Sequence, residues 1–411
     1  MTQQIARRIT RRASLACLAL SGTAIRSGPI RAADKVYGPG VTDTEIKIGS
    51  AMPYSGPQSA FGVVGRAATA YYNMINDQGG VNGRKINCIS LDNASLPPKT
   101  VEVVRRLVEQ DEVLGMIGML GSAPNAAVQP YLNKRKVPHF FIFGGNARFR
   151  DPQGAPWSIG IDLAFVNQTA AFTRYILAEK PDAKIAVLYQ NDDLGKDHLA
   201  GVRAALGDKA DTIIVKTASY ETTDSTLDTQ VIQLKESGAD ALVTAAGPRF
   251  AALAIRKMNQ IGWKPLHLLG YPGASIGATF KPAGLEASTG IVTAAFLKQP
   301  GDPAWANDPE MIAFLAFLKT RAPDLNPSDI YAVFGYFQGA TIVQFLSMCG
   351  DNLTREALLD KITHLHQMTV PMLLPGITLS TSPDDYTMLK MMQLERFDGT
   401  GWVNIGGIVE G

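Results

Sequence analysis

The feature that most constrains the fold is a regular alternation of apolar runs and amphipathic segments along the first three quarters of the chain. The apolar runs at 185–189 and 241–246 are continuous, which is typical of strands buried on both faces of a parallel sheet. Between such runs, apolar residues recur three and four positions apart, as at Ala254, Met258 and Ile261, and this spacing predicts helices. The alternation therefore predicts an α/β protein with helices on both faces of parallel sheets.

The alternation is arranged in two blocks, 45–155 and 165–295, and the chain that follows them is different. Its first part is mostly helical, and its last part contains two alternating strands joined by a DGTG turn at 398–401, which is typical of a hairpin. At 411 residues the chain is long enough for two or three domains. Two similar blocks, completed by a later segment that returns to them, predict two lobes that face a cleft.

The first 33 residues are typical of an export signal. They contain six arginines and no acidic residue, with a short apolar run at 13–24 and small residues before Asp34. The run is far shorter than the ~20 residues of a membrane-spanning helix, and no later segment is predicted to span a bilayer. Residues 10–15 loosely match a twin-arginine signal, so the general and twin-arginine export routes both stay open. We expect a signal peptide at 1–33 and a mature protein in the periplasm.

The charge balance argues against a nucleic-acid partner. The chain carries 39 basic and 37 acidic residues, but six of the basic residues belong to the predicted leader, which leaves 33 in the body. A mildly acidic body without a basic stripe is not typical of proteins that bind nucleic acid.

The stretch 45–62 predicts a strand, then a loop rich in Pro, Ser and Gly, then the start of a helix. The free N–H groups and the positive dipole end at such a helix start can hold an anion. Because the loop contains no lysine or aspartate that would act on a phosphate, the stretch predicts capture of a ligand, not a reaction.

One pattern suggests an enzyme. The sequence GASIG at 273–277 matches the nucleophile elbow of serine hydrolases, with Ser275 as the nucleophile and His364 and His366 downstream. The elbow needs a strand that leads directly into the first glycine, whereas Tyr271-Pro272 intervenes here. We therefore expect no enzymatic activity, and a serine hydrolase that uses Ser275 is kept as an alternative.

No metal or cofactor is expected. His364 and His366 are two positions apart, so they do not stack on one helix face, and no other cluster of His or Cys supports a metal site. The chain contains neither a phosphate loop nor a dinucleotide fingerprint. Cys88 and Cys349 are expected to be small buried thiols, and a disulfide between them stays open.

Several short motifs resemble one family when they are taken in order. They are IKIG at 46–49, PYSGP at 53–57, GGVNGRKI at 79–86, DLGKD at 193–197 and SGAD at 237–240. Together they resemble the type I periplasmic solute-binding proteins that serve ABC transporters of the branched-chain amino acid type, the leucine/isoleucine/valine-binding family. The resemblance extends over residues 41–411.

The resemblance implies a fold and a mechanism. It implies an α/β protein of two Rossmann-like lobes joined by three crossovers, which closes on a small-molecule ligand by a hinge movement. Lobe 1 is expected to comprise 41–157 and 300–378, and lobe 2 to comprise 158–299 and 379–411. A protein of this family is expected to be a monomer that delivers its ligand to the permease subunits of an ABC transporter.

The resemblance also implies a ligand site at the carboxyl ends of the strands. In the family, two loops of lobe 1 hold a ligand carboxylate, an aromatic residue of lobe 1 contacts the ligand body, and loops of lobe 2 close over it. The matching positions are Gly121 and Ser122 in the first loop, Gly144, Gly145 and Asn146 in the second loop, Tyr54 or Phe61 as the aromatic contact, and Leu194, Gly247 and Tyr271 in lobe 2.

Departures from the family indicate a different ligand. Members that bind amino acids carry an acid in the lobe 2 loop that reads GYPGA at 270–274 here, and they carry a tyrosine where Leu194 stands. An ammonium group buried without that acid costs several kcal/mol. We therefore expect a carboxylate without an α-amino group, such as an aromatic or short aliphatic acid. A branched-chain amino acid, with Asp193 shifted inward to supply the charge, and an amide or urea stay as alternatives.

Overall fold

The computed structural model describes residues 35–411. The strands, in chain order, are β1 (Val36–Tyr37), β2 (Glu45–Met52), β3 (Lys85–Asp92), β4 (Met116–Ile117), β5 (His139–Ile142), β6 (Ser158–Gly160), β7 (Ile185–Gln190), β8 (Ile214–Tyr220), β9 (Ala241–Ala245), β10 (Leu266–Leu269), β11 (Val292–Ala295), β12 (Asn352–Leu353), β13 (Met391–Phe397) and β14 (Trp402–Glu410). The α-helices are α1 (Gly62–Asp77), α2 (Pro97–Glu109), α3 (Ser122–Lys134), α4 (Phe165–Glu179), α5 (Asp193–Leu206), α6 (Ala210–Ile213), α7 (Asp228–Glu236), α8 (Pro248–Gln260), α9 (Lys281–Ala283), α10 (Leu285–Ser288), α11 (Pro309–Arg321), α12 (Ile330–Cys349) and α13 (Arg355–Ile362).

The first block of the sequence forms a parallel sheet, which defines lobe 1. Within the described chain its strand order is β3-β2-β4-β5-β6, and all the pairings are parallel. The inner strand β2 is buried along most of its length, as its run of apolar and small residues predicts. In β5, Phe141 adopts a φ of +56° where the register shifts, so the strand kinks just before the loop that leads to Gly144.

The second block forms a larger sheet, which defines lobe 2. Its strand order within residues 35–411 is β14-β13-β11-β10-β9-β7-β8. The pairings from β8 to β11 are parallel, and β13 and β14 add an antiparallel hairpin at one edge. The predicted α/β fold and the predicted C-terminal hairpin are both confirmed.

The chain passes between the two sheets more than once, and the crossing segments contact one another. An isolated bridge pairs Leu163 with Leu389, and another pairs Leu297 with Leu373. After β11 the chain returns to lobe 1, where α12 packs on α1. Gly335 of α12 lies against Val64 of α1 so closely that an added Cβ would collide with the backbone. The absence of a side chain at Gly335 lets the two helices approach each other closely.

One predicted boundary needs correction. The division of the chain at residue 157 assigns Ser158–Gly160 to lobe 2, whereas the structure pairs this strand with β5 at the edge of the lobe 1 sheet. The strand is short and is flanked by apolar residues, so the sequence does not indicate where the chain leaves the lobe 1 sheet. The predicted leader, 1–33, lies outside the described residues.

Helix α12 shows why apolar length alone is a poor guide to a membrane span. Among the described residues it is the helix long and apolar enough to cross a bilayer, contrary to the sequence expectation that no such segment exists. Its side chains are mostly buried in lobe 1, including Tyr331 and Phe337. The apolar run therefore belongs to the core.

Candidate functional site

A cavity lies between the two lobes, at the carboxyl ends of the parallel strands. It has an outer chamber of about 290 Å³, whose walls include Gln58 from lobe 1 and Gln190 from lobe 2. An inner pocket of about 60 Å³ adjoins it, with Phe143 and Tyr271 among its walls. Ser122 borders both spaces. Among residues 35–411, no lysine or arginine lines either space.

The Gly121–Ser122 loop presents hydrogen-bond donors to the cavity. Helix α3 begins at Ser122, and Gly121 precedes it with a φ of +103°, which favours glycine. The Ser122 hydroxyl is buried and makes no hydrogen bond with the described residues. A buried hydroxyl beside the first N–H groups of a helix suits a negatively charged ligand group, because the helix dipole is positive at that end.

Two buried side chains hold this loop in place. Asn125 Nδ2 donates to the Gly121 carbonyl (2.6 Å), and Asn125 Oδ1 is bonded to His139 Nε2 (2.7 Å). Burial lowers the pKa of His139 to about 3, so the ring is neutral at physiological pH and its Nε2–H donates to Asn125. The neutral ring and the carboxamide fix the loop geometry without adding charge near the ligand position.

Aromatic side chains from both lobes form the inner pocket. Tyr271 of lobe 2 lies with its ring centroid 6.1 Å from that of Phe334 and 6.2 Å from that of Phe165. Phe61 and Phe143 of lobe 1 complete the wall. Such a pocket suits a small apolar ligand body.

One carboxyl group lies in this aromatic wall. Asp162 is 3% exposed, lines the inner pocket and lies against the Tyr271 hydroxyl. Burial raises the pKa of Asp162 to about 7, and the opposing effects of Tyr271 and of the Arg150 guanidinium do not cancel it. Arg150 instead donates to backbone carbonyls, those of Asn146 (2.7 Å) and Asp162. The cavity therefore contains a carboxyl group that can change its charge near neutral pH.

The outer chamber is walled by polar side chains. Gln190 Nε2 donates to Asp192 Oδ2 (2.6 Å), and the other oxygen of Asp192 caps α5 by accepting from the N–H of Leu194 (2.9 Å). Burial raises the pKa of Asp192 despite these bonds.

On the lobe 1 side, Ala94 and Ser95 adopt φ values of +51° and +59°, so two consecutive non-glycine residues hold a strained conformation at the cavity wall.

The structure brings most of the predicted site residues together. The residues that line the cavity are Phe61, Gly121, Ser122, Gly144, Leu194, Gly247 and Tyr271. Their roles in ligand binding stay predictions.

Three other predicted positions are not among the residues that line the two spaces. The Tyr54 hydroxyl is hydrogen-bonded to Ser90 Oγ of strand β3 (2.6 Å), and the Tyr54 side chain packs against Gly65 of helix α1. Gly145 packs directly on Phe165, with no room for a side chain. Asn146 donates to Asp197 of lobe 2 (3.2 Å), and so links the lobes.

Sequence reasoning missed Gln58, Gln190 and Asp162. Gln190 ends β7 and Asp162 follows β6, so both obey the rule that ligand contacts lie at the carboxyl ends of parallel strands. That rule supplied a signal, but nothing in the sequence shows that Asp162 and Tyr271, 109 positions apart, meet in one pocket.

The hydrolase pattern is not assembled into a catalytic set. Ser275 is 1% exposed, and its hydroxyl accepts from the N–H of Ala278 (3.1 Å). His364 is exposed and bonded to the Asp360 carbonyl (2.7 Å).

Within residues 35–411 no group of His, Cys, Asp and Glu could hold a metal ion, and Cys88 and Cys349 are free thiols.

The comparison with known proteins agrees with this architecture. The sequence matches the family described as periplasmic binding protein over residues 45–399. Leu/Ile/Val-binding protein homolog 7 from Brucella abortus is 24% identical over 290 residues, which cover 68% of this chain and 68% of that protein. The chain thus spans about two thirds of the length of this relative.

Solved structures show the same fold. A branched chain amino acid ABC transporter protein from Thermus thermophilus with bound valine superposes with a TM-score of 0.80 at 15% identity, covering 90% of this chain and 98% of that one. A fatty acid ABC transporter substrate-binding protein from Thermomonospora curvata gives a TM-score of 0.74 at 21% identity, covering 92% and 95%. The predicted resemblance and the predicted bilobed fold are confirmed.

Proposed function

The chain belongs to the periplasmic binding protein family, and on this premise we propose that it is the extracytoplasmic solute-binding component of an ABC importer. In this proposal it captures a small carboxylate, an aromatic or aliphatic acid, by closure of its two lobes and presents the closed form to the permease subunits. The family consists of binding proteins and not enzymes, which supports a role in capture. The names of the relatives support transport of a small ligand, since one is a branched chain amino acid protein and another a fatty acid protein.

The observation that carries the carboxylate proposal is the unpartnered hydroxyl of Ser122 at the start of α3. It lies between the aromatic inner pocket and the polar outer chamber, where a carboxylate can accept from the hydroxyl and from the helix N–H groups. Hydrogen bonds to a charged group contribute about 1.5–3 kcal/mol each, so these neutral donors suffice without a lysine or arginine.

The test compares leucine with the keto acid of the same skeleton and with an aromatic acid. Native mass spectrometry of the purified protein identifies any retained ligand, which is then removed by unfolding and refolding. Thermal-shift measurements with 4-methyl-2-oxopentanoate, benzoate and leucine follow. We expect the two acids to raise the melting temperature and leucine to have no effect. Tight binding of leucine with no response to either acid would refute the carboxylate proposal.

A matched pair of variants locates the carboxylate. Ser122→Ala removes the proposed hydrogen bond and is expected to weaken acid binding by about 10- to 100-fold. The exposed Ser328→Ala serves as the control and should bind as the unaltered protein does. Equal affinities of the two variants would place the carboxylate elsewhere.

Asp162 favours a second candidate, an amino acid. Its carboxyl lies in the inner pocket beside Tyr271, the position for which the sequence loop 270–274 supplies no acid. An ammonium group bound there would be paired with an ionised Asp162. Under this candidate, leucine raises the melting temperature, and Asp162→Asn abolishes its effect while the effect of the matched keto acid remains.

A further inference from the structure

We infer that Gln58 forms a hydrogen bond with the end of the ligand that lies farthest from its carboxylate. The outer chamber then selects acids in which this end carries a neutral polar group, such as a hydroxyl or carboxamide. The inference rests on the proposed function and adds a specificity-determining residue to it. Gln58 lies in the lobe 1 loop just before helix α1, is 9% exposed and faces lobe 2 across the chamber.

The carboxamide of Gln58 is incompletely satisfied. Its Nε2 is 3.5 Å from Gln190 Oε1, which is longer than an ordinary N–H···O hydrogen bond of 2.7–3.2 Å. A buried carboxamide that lacks good partners costs free energy, and a ligand group can relieve that cost. The amide therefore has both a donor and an acceptor to offer to the chamber.

Both ends of the Gln190 amide have closer partners than the Gln58 amide has. The Tyr220 hydroxyl donates to Gln190 Oε1 (3.3 Å), and Gln190 Nε2 donates to Asp192 Oδ2 (2.6 Å). Tyr220 is 2% exposed, so this chain of bonds fixes the orientation of the Gln190 amide. Gln190 presents an oxygen to Gln58 and leaves Gln58 as the adaptable partner.

The opposite wall is shaped to admit the Gln58 side chain. Gly247 immediately precedes helix α8, and an added Cβ there would lie 2.7 Å from Gln58 Oε1. Glycine at this position therefore makes the room that the carboxamide occupies when the lobes are together. The contact joins residues 189 positions apart, one on each lobe.

The charges of the chamber decide which neutral groups fit. Asp192 and Glu221 both line it, and the described residues of its wall include no lysine or arginine. A second carboxylate would meet these acids and find no cation, which is unfavourable in a desolvated site. A hydroxyl or carboxamide, in contrast, can both donate to and accept from Gln58.

The test uses two matched sets of acids and ligand-stripped full-length protein. One set is hexanoate, 6-hydroxyhexanoate and hexanedioate, and the other is 3-phenylpropanoate, its 4-hydroxyphenyl analogue and its 4-carboxyphenyl analogue. Isothermal titration calorimetry measures Kd for each acid. We expect the hydroxylated acid of at least one set to bind about 5- to 10-fold more tightly than its parent, and the diacids not to bind.

Variants separate this inference from the proposed function. Gln58→Leu is expected to remove the advantage of the hydroxylated acid over its parent, and the exposed Gln153→Leu should retain that advantage. If the parent acids bind but the hydroxyl gives no advantage, or a diacid binds most tightly, this inference is overturned and the proposed function stands. If no acid of either set binds and leucine does, both are overturned.

Discussion

The charge state of Asp162 should govern how ligand affinity depends on pH. Burial raises the pKa of this carboxyl to about 7, and it shares the inner pocket with Ser122. A ligand carboxylate bound at Ser122 disfavours a second negative charge nearby, so it binds best to the form in which Asp162 is protonated. The ligand itself stays ionised between pH 6 and 8, since carboxyl pKa values lie near ~4.

The size of the effect follows from the titration. With a pKa of about 7, roughly nine tenths of Asp162 is protonated at pH 6 and roughly one tenth at pH 8. If only the protonated form binds the acid, Kd rises about tenfold over this range, which corresponds to about 1.4 kcal/mol. A ligand with an ammonium group requires the ionised form, so its Kd falls about tenfold over the same range.

Calorimetric titrations at pH 6, 7 and 8 measure this dependence. Asp162→Asn should abolish it, because the carboxamide does not titrate, and the exposed Asp182→Asn should retain it. An affinity for the acid that is independent of pH, or a dependence that survives in Asp162→Asn, refutes the reasoning. A dependence of opposite sign identifies an amino-acid ligand.

The remaining predictions concern closure, stability and the absence of catalysis. Asp197 of lobe 2 accepts hydrogen bonds from the N–H of Ala147 (2.9 Å) and from Asn146, both in lobe 1. Asp197→Ala should therefore weaken ligand affinity about tenfold and give a more open ligand-free form in small-angle X-ray scattering. An unchanged affinity would contradict this role. Burial lowers the pKa of His139 to about 3, so the folded protein is most stable above pH ~6.5, where the ring is neutral, and it loses stability as the pH falls toward 3. In His139→Gln, the free energy of unfolding measured with urea should fall less steeply between pH 6 and 4, by about 1.4 kcal/mol per pH unit. The exposed His366→Gln should not change this slope. Ser275→Ala should lower the free energy of unfolding by about 1 kcal/mol through loss of the bond to the Ala278 N–H, and an ester turnover that disappears in this variant would instead support the hydrolase alternative.

The outline of the fold could be predicted because it depends on local patterns. Helices α1 and α8 fall where apolar residues recur with helical spacing, and β7 and β9 fall on continuous apolar runs. The terminal hairpin follows from alternation around a DGTG turn. The point at which β6 leaves the lobe 1 sheet was not predictable, since a three-residue edge strand has no pattern of its own.

The sequence identified individual loops of the site but not the directions of their side chains. The Gly121–Ser122 loop was identified because it resembles a ligand loop of the family, and it lies on the cavity wall. The direction of the Tyr54 side chain was not identifiable, because it depends on Ser90 in the neighbouring strand, 36 positions away. A side chain at a loop can face either the ligand or the core, and packing decides which.

The sequence by itself determined that this chain is an α/β protein of two blocks, and that its first loop, 53–60, resembles that of the periplasmic binding proteins. These features could be identified because hydrophobic periodicity and turn residues determine local structure over a few positions. The tertiary structure alone decided what the cavity contains. It brings Asp162 against Tyr271 and sets Gln58 opposite Gln190, pairs that are 109 and 132 positions apart. The charge and polarity of the site arise from such distant encounters, and burial then shifts the pKa of the groups that meet there.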